Sequence, residues 1–238
     1  MRYLALLVLV PLAGCHVGDD QKGVAASGAG GNRTFAADGF SAVEATGPDD
    51  VDVRVGSGFS VRAEGDAKAL DKLEIVKNGD TLEVRRKSSS GFSWGSSGHA
   101  KVYITMPRIT AASATGSGDM AVDHVDGNAF TVDATGSGDV SVGSINVQSV
   151  SLSLTGSGGV TAAGTAKSGK VSITGSGDVD AGKLNLSSAE VSVMGSGNVA
   201  ASVAGPANVD VMGSGDVTLT GGAKCTTSKM GSGSVTCS

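Results

Sequence analysis

The sequence predicts an all-β fold, a right-handed parallel β-helix with coils of 18–20 residues and a short helical insertion near its N-terminal end. Three observations predict it. Gly-Ser-Gly recurs with its first glycine at Gly116, Gly136, Gly156, Gly175, Gly195, Gly213 and Gly231, at successive spacings of 20, 20, 19, 20, 18 and 18 residues. Apolar and polar residues alternate on both sides of that triplet. Small residues dominate throughout: the 238 residues include 38 Gly and 32 Ser, while aromatic residues make up 3%. Without a period that composition reads as a linker or a disordered chain; with one, it reads as a narrow stacked fold filled by Val, Ala and Leu.

With the first glycine of each triplet taken as position 0, position −4 holds Ala112, Val132, Leu152, Val171, Val191, Val209 and Thr227. Position −2 holds Ala114, Ala134, Leu154, Ile173, Val193, Val211 and Lys229, and polar Ser or Asp stands between them at −3. This period of two marks a strand with one buried face. After the triplet, position +4 is Met120, Val140, Val160, Val179, Val199, Val217 and Val235, and a third apolar patch follows in several repeats, as at Val125, Ile145 and Leu184. Each repeat thus offers two or three short strands, too few to offset alone the entropy of ordering its chain. Stacking along an axis solves this, because every strand then pairs with its equivalents about 4.8 Å above and below. The glycines supply the sharp corner that each coil needs, through positive φ and close backbone approach.

The same composition excludes other classes. Frequent glycine rules out helix bundles, at a cost of about 1 kcal/mol for each interior glycine. A net charge of −5 and a pI near 5.1 leave no field to draw a phosphate backbone, so nucleic acid is not an expected partner.

Taken in order, residues 1–14 read as an export signal: Arg2, an apolar run from Leu4 to Val10, then Leu12-Ala13-Gly14-Cys15. The Leu-Ala-Gly-Cys ending resembles the lipobox of bacterial lipoproteins. That resemblance implies a lipid anchor on Cys15 and, with His16 rather than Asp after it, the outer membrane of the cell envelope. Residues 15–38, polar and glycine-rich, read as a flexible tether, and residues 39–238 as the β-helix. Val43-Glu44-Ala45-Thr46-Gly47 with Val51 and Val53 reproduces the coil pattern, and Val61 to Gly65 reads as a further half-coil eighteen residues on. The pattern then breaks over about residues 66–100. Asp66 to Leu73 reads as a helical turn or two, Thr81 to Arg86 and Lys101 to Met106 as strands, and Lys87 to His99 as a serine-glycine loop. An irregular segment at one end suits a cap over strand edges. At the other end, Cys225 and Cys237 are expected to form a disulfide in an oxidising compartment, with a metal site as the alternative.

The lipobox, the tether, the strand-rich opening with one helical insertion and the repeated Thr-Gly-Ser-Gly-Asp-Val coils together resemble the head GIN domain proteins, the putative auto-transporter adhesins. The resemblance spans about residues 39–238. It implies a β-helical envelope protein with no catalytic motif to carry over, and it suggests side-by-side association into a homotrimer.

Gly-Ser-Gly-Asp also resembles the calcium-binding turns of toxin-type β-rolls. Position +3, however, reads Asp119, Asp139, Gly159, Asp178, Asn198, Asp216 and Ser234, a broken carboxylate column, whereas a calcium site needs several converging oxygens. Structural turns are the favoured reading, with no metal or cofactor expected and a calcium-stabilised binding module as the alternative. The outward acids Asp123, Asp133, Asp180, Glu190 and Asp210 fall at different phases of the coil, and His16, His99 and His124 show no ligand or triad spacing. No catalytic residue is assigned, and a polysaccharide-acting enzyme stands as the runner-up. The one basic and aromatic concentration is Arg85, Arg86, Phe92 and Trp94, a candidate contact for polysaccharide or a surface protein. The competing reading makes Trp94 a plug for the solenoid end. The expected function is a lipid-anchored, non-enzymatic structural or adhesive surface.

Overall fold

The computed structural model describes residues 23–87 and 98–238. Two strands open it, β1 (Ala26–Ser27) and β2 (Asn32–Phe35), followed by β3 (Ala42–Gly47) and β4 (Asp50–Val55). The irregular segment holds β5 (Ser60–Gly65), α1 (Ala67–Lys72), β6 (Leu73–Asn78), β7 (Thr81–Arg86) and β8 (Ala100–Met106). Regular coils follow as β9 (Ala111–Gly116), β10 (Met120–Asp126), β11 (Ala129–Gly136), β12 (Val140–Gly156), β13 (Gly159–Gly175) and β14 (Asp178–Gly195). The last coils are β15 (Val199–Val203), β16 (Pro206–Gly213), β17 (Val217–Thr220), β18 (Lys224–Gly231) and β19 (Val235–Cys237).

The parallel β-helix expected from the period is the observed fold. Its first face stacks β7, β3, β9, β11, β12, β13, β14, β16 and β18 in parallel. Its second stacks β8, β4, β10, β12, β13, β14, β15, β17 and β19. β12, β13 and β14 serve both faces because they bend between them, at register shifts such as Val142/Ile145 and Thr161/Ala163. A third side lies between the bends, where Val125 pairs with Ile145, Ile145 with Gly164 and Gly164 with Leu184. The inward columns are the predicted ones. Val132, Leu152, Val171, Val191 and Val209 are all 1% exposed or less, in one continuous core.

Each corner has the same construction. The carbonyl of Gly136 accepts from Ser157 N at 2.8 Å and from Gly158 N at 3.2 Å, and the carbonyls of Gly116, Gly156, Gly175 and Gly213 do the same for the coil above. Gly156 has φ +124°, and a Cβ there would lie 2.2 Å from the Gly136 oxygen; one on Gly158 would lie 2.1 Å from the Gly138 oxygen. Both glycines of the triplet are therefore required, for related reasons.

The N-terminal end departs from the expected order. β3–β4 is not the terminal rung: β7–β8 stacks on one side of it and β9–β10 on the other. The chain leaves the solenoid after β4, returns to lay down a rung outside it, and then crosses back. Thr81–Arg86 and Lys101–Met106 are strands as predicted, yet they belong to the stack rather than interrupting it. Val61–Gly65 is the reverse case. It reads as a half-coil but lies in β5, antiparallel to both β8 and β2. Its alternation correctly buries Val61 and Ala63, and alternation carries no information about strand direction.

The cap is built from antiparallel strands. β6 covers the edge of β7, β5 covers the edge of β8, and β2 and β1 extend that sheet. Asp66 caps α1, its carboxylate accepting from Lys68 N at 2.8 Å. The helix turns Ala69 and Leu70 into the core, beside Phe35 and Phe40. Within the stretch read as a tether, Asn32–Phe35 is a strand paired with β5. Its polar residues face outward from a cap, where they look like linker.

At the C-terminal end, Cys225 and Cys237 form a disulfide. They stand in register with Ala207 and Leu219, so the bridge joins inward positions of the two faces across the end of the core. The other inward positions of the first face in this coil, Thr227 and Lys229, are exposed. Polar replacements at the open rung blunt an edge that would otherwise recruit further strands.

Candidate functional surface

Arg85 and Arg86 lie side by side on β7 and are engaged inside the cap. Arg86 clasps Asp49 in two hydrogen bonds, Nε to Oδ2 at 2.7 Å and Nη2 to Oδ1 at 2.6 Å, and also donates to the Gly98 carbonyl at 3.0 Å. Asp49, with a side chain 5% exposed, accepts in addition from Ala100 N at 3.0 Å. The hydrogen bond to Asp49 raises the Arg86 pKa above its usual value against the lowering effect of burial. Arg85 donates from Nε to Glu74 at 2.9 Å and reaches Glu83 at 3.1 Å, and the Glu74 hydrogen bond likewise raises its pKa. Asp49 stands in the coil where Gly118 stands in the next one, stacked beneath it. The Asp49–Arg86 pair therefore ties down the corner between β7 and β8, the place of a Gly-Ser-Gly turn in other coils. Phe92 and Trp94 lie outside the described residues, as does Cys15.

The +3 column serves the backbone. The Asp119 carboxylate accepts from Asp139 N at 2.9 Å, Asp139 from Gly159 N at 2.7 Å, Asp178 from Asn198 N at 2.9 Å, Asn198 from Asp216 N at 3.0 Å and Asp216 from Ser234 N at 2.8 Å. Each side chain thus satisfies the amide of its equivalent one coil later, a ladder that breaks at Gly159 and resumes at Asp178. Hydrogen bonds from the Ser234 hydroxyl and amide hold the Asp216 carboxyl below the usual carboxylate range. Among the described residues no three His, Cys, Asp or Glu side chains converge as a metal-binding group. The outward acids stay apart. Asp133 and Asp210 share a column but Ser153, Ser172 and Ser192 separate them, and Glu190 pairs with Lys170 at 3.3 Å.

Among several concavities on the described residues, one is a groove that runs along the axis where the third side meets the first face. Phe130, Val150, Gly169 and Ala189 underlie it; Ser149, Ser168 and Ser188 form one bank, and Thr131, Ser151, Lys170, Glu190 and Asn208 form the other. Along its floor the inward column shrinks from Phe130 and Val150 to Gly169. There a Cβ would meet Leu186 Cδ1 at 2.5 Å, so the leucine fills the core from the neighbouring side. A polar-banked, apolar-floored trench repeating at every rung suits an extended polymer better than a compact ligand.

A second surface escaped the sequence reading. The Arg62 guanidinium lies 4.0 Å from the centroid of the Tyr103 ring, and Lys101 Nζ lies 5.5 Å from it. Arg62 also pairs with Glu64, and Lys101 approaches Asp52 at 3.9 Å. Residues 62 and 103 meet only because β5 runs antiparallel to β8, a pairing that no repeat signal announces.

Solved structures with this fold are at hand for comparison. A putative adhesin of Bacteroides fragilis superposes with a TM-score of 0.78 at 19% identity, covering 87% of this chain and 96% of that one. A protein of Parabacteroides distasonis described as a putative lipid binding protein gives 0.68 at 21% identity, covering 87% and 96%. A putative adhesin of Parabacteroides merdae gives 0.64 at 16%, covering 87% and 95%. At these identities the likeness is one of fold. No curated protein matches the sequence. The family model for the putative auto-transporter adhesin, head GIN domain, matches residues 39–223. Those residues hold β5, α1 and β6 of the cap, the glycine-cornered coils up to β17 and the groove, and by that match the chain belongs to the head GIN domain family of putative adhesins.

Proposed function

We infer that this protein is a lipid-anchored, non-enzymatic adhesin of the bacterial envelope, held to the outer membrane by acyl chains on Cys15. Its solenoid presents the axial groove to an extended polysaccharide or surface polypeptide. The observation that carries this reading is the groove itself. One bank carries a polar side chain at each rung, from Thr131 through Ser151, Lys170 and Glu190 to Asn208, about 4.8 Å apart, so a polymer lying along the axis meets one polar group per rung. Such a surface binds by summing many weak contacts, as adhesion requires. Several acyl chains, at about 0.8 kcal/mol per buried CH₂, make the anchor stable. Phe92 and Trp94 offer, by residue type, aromatic faces that stack on sugar rings, while Arg85 and Arg86 are held by acids of the cap. Side-by-side association into a homotrimer multiplies the contacts.

The test combines a glycan array with a reducing-sugar release assay on the full chain. Binding without release is expected, and S151W, which fills the trench, is expected to abolish binding without changing the melting temperature. Sugar release, or binding that survives S151W, overturns the reading.

A further inference from the structure

On the outward side of the first face, the position before each corner glycine holds threonine in four successive coils, Thr115, Thr135, Thr155 and Thr174. In the last three coils the same position holds Met194, Met212 and Met230, paired with one another in register. They are 47%, 56% and 72% exposed. Threonine suits an outward place on a strand, being β-branched and polar. Methionine there shows much of its apolar surface to water. What it adds is a polarisable sulfur on an unbranched side chain with three rotatable bonds.

Three such side chains root on consecutive rungs about 4.8 Å apart. Their flexibility lets the outer two lean toward Met212, so that three sulfurs meet one ion above the middle rung. Thioethers are neutral and soft. They select Cu(I), whereas calcium and magnesium take oxygen. The three methionines line a concavity of their own on the first face, separate from the axial groove, and it also contains Asp210, two residues before Met212, between Ser192 and Ser228 of the adjoining coils. Its carboxylate sets one negative charge beside the place of a monovalent cation. The sulfurs of Cys225 and Cys237 are tied up in the disulfide across the core and take no part. The rungs are fixed by backbone pairing, so only the side chains need to move.

We propose that Met194, Met212 and Met230 form a thioether site for a soft monovalent cation, Cu(I) or its redox-inert counterpart Ag(I), with Asp210 as its charge partner. The test titrates Ag(I) into the full chain carrying C15S, which removes the one cysteine outside the disulfide, following the ¹³C resonances of the methionine methyl groups. One ion per chain is expected, with the resonances of these three among the six methionines shifting together. M212L keeps the volume and apolar character but removes the sulfur. Its affinity is expected to fall at least as far as for loss of an outer-shell partner, about 10–100-fold. The triple variant M194T/M212T/M230T restores the residue of the earlier coils and serves should M212L lower the melting temperature. Unshifted methyl resonances, equal Ag(I) affinity in these variants, or displacement of Ag(I) by an equal concentration of Zn(II) overturns the proposal.

Discussion

Gly156 and Ser157 are neighbours at one corner and face opposite demands. The glycine adopts φ +124° with the carbonyl of Gly136 against its missing side chain, while the serine side chain points to solvent and only its amide is used. G156A is therefore expected to cost at least the ~1–3 kcal/mol of a strained backbone residue, and S157A to be nearly neutral, as read by urea denaturation of each variant. Equal effects would mean that the corner is held by its hydroxyl. At this scale the sequence was informative wherever a residue repeated at fixed phase, because a periodic chemical need leaves a periodic mark. It was silent where partners met once. Asp49 and Arg86 are 37 residues apart and form a bidentate pair, and nothing in the spelling of either segment announces the other. The exposed methionines were within reach of the sequence: position −1 is out of phase with the inward −4 and −2 columns, so alternation already turns them outward, and the structure adds how far each is exposed.

Single elements divide by how they end. Interior strands are paired on both edges, so their alternation fixes position, face and register together. The terminal ones need separate devices, and these differ at the two ends. Antiparallel strands and α1 close one; the other has the disulfide and polar inward residues. Reducing Cys225–Cys237 is expected to cost the last coil about 3 kcal/mol in the chain-entropy model. Hydrogen exchange should then show β18 and β19 losing protection while β11 to β14 keep theirs. Uniform loss would place the bridge's role in the whole stack. The disulfide was legible from two leftover cysteines in an oxidising setting. The direction of β5 was not, because a strand of alternating residues pairs equally well in either sense until its neighbours are known.

As a whole molecule, the solenoid behaves as a one-dimensional array in which each coil touches the coils before and after it. Deleting residues 137–156 joins Gly136 to Ser157 in the same phase of the coil. The shortened protein is expected to fold, with a lower melting temperature by circular dichroism. Deleting residues 147–156 puts the inward columns out of phase, and no cooperative melt is expected. If both deletions fold alike, the coils are not in register through their corners.

The position of β3–β4 between two later rungs bears on how the stack is assembled. Regular coils bring together residues 18–20 apart, whereas Asp50 must meet Asp119 at a separation of 69. Loop closure over that span costs about 1 kcal/mol more than for an ordinary coil. The earliest rung in the chain stays unfinished on both edges until residues 81–126 have been made. Growth of the array is therefore expected to begin among the regular coils, with protection of β3 and β4 in pulsed hydrogen exchange appearing after that of β12 to β14; earlier protection of β3 and β4 would show that the detour at the cap forms first.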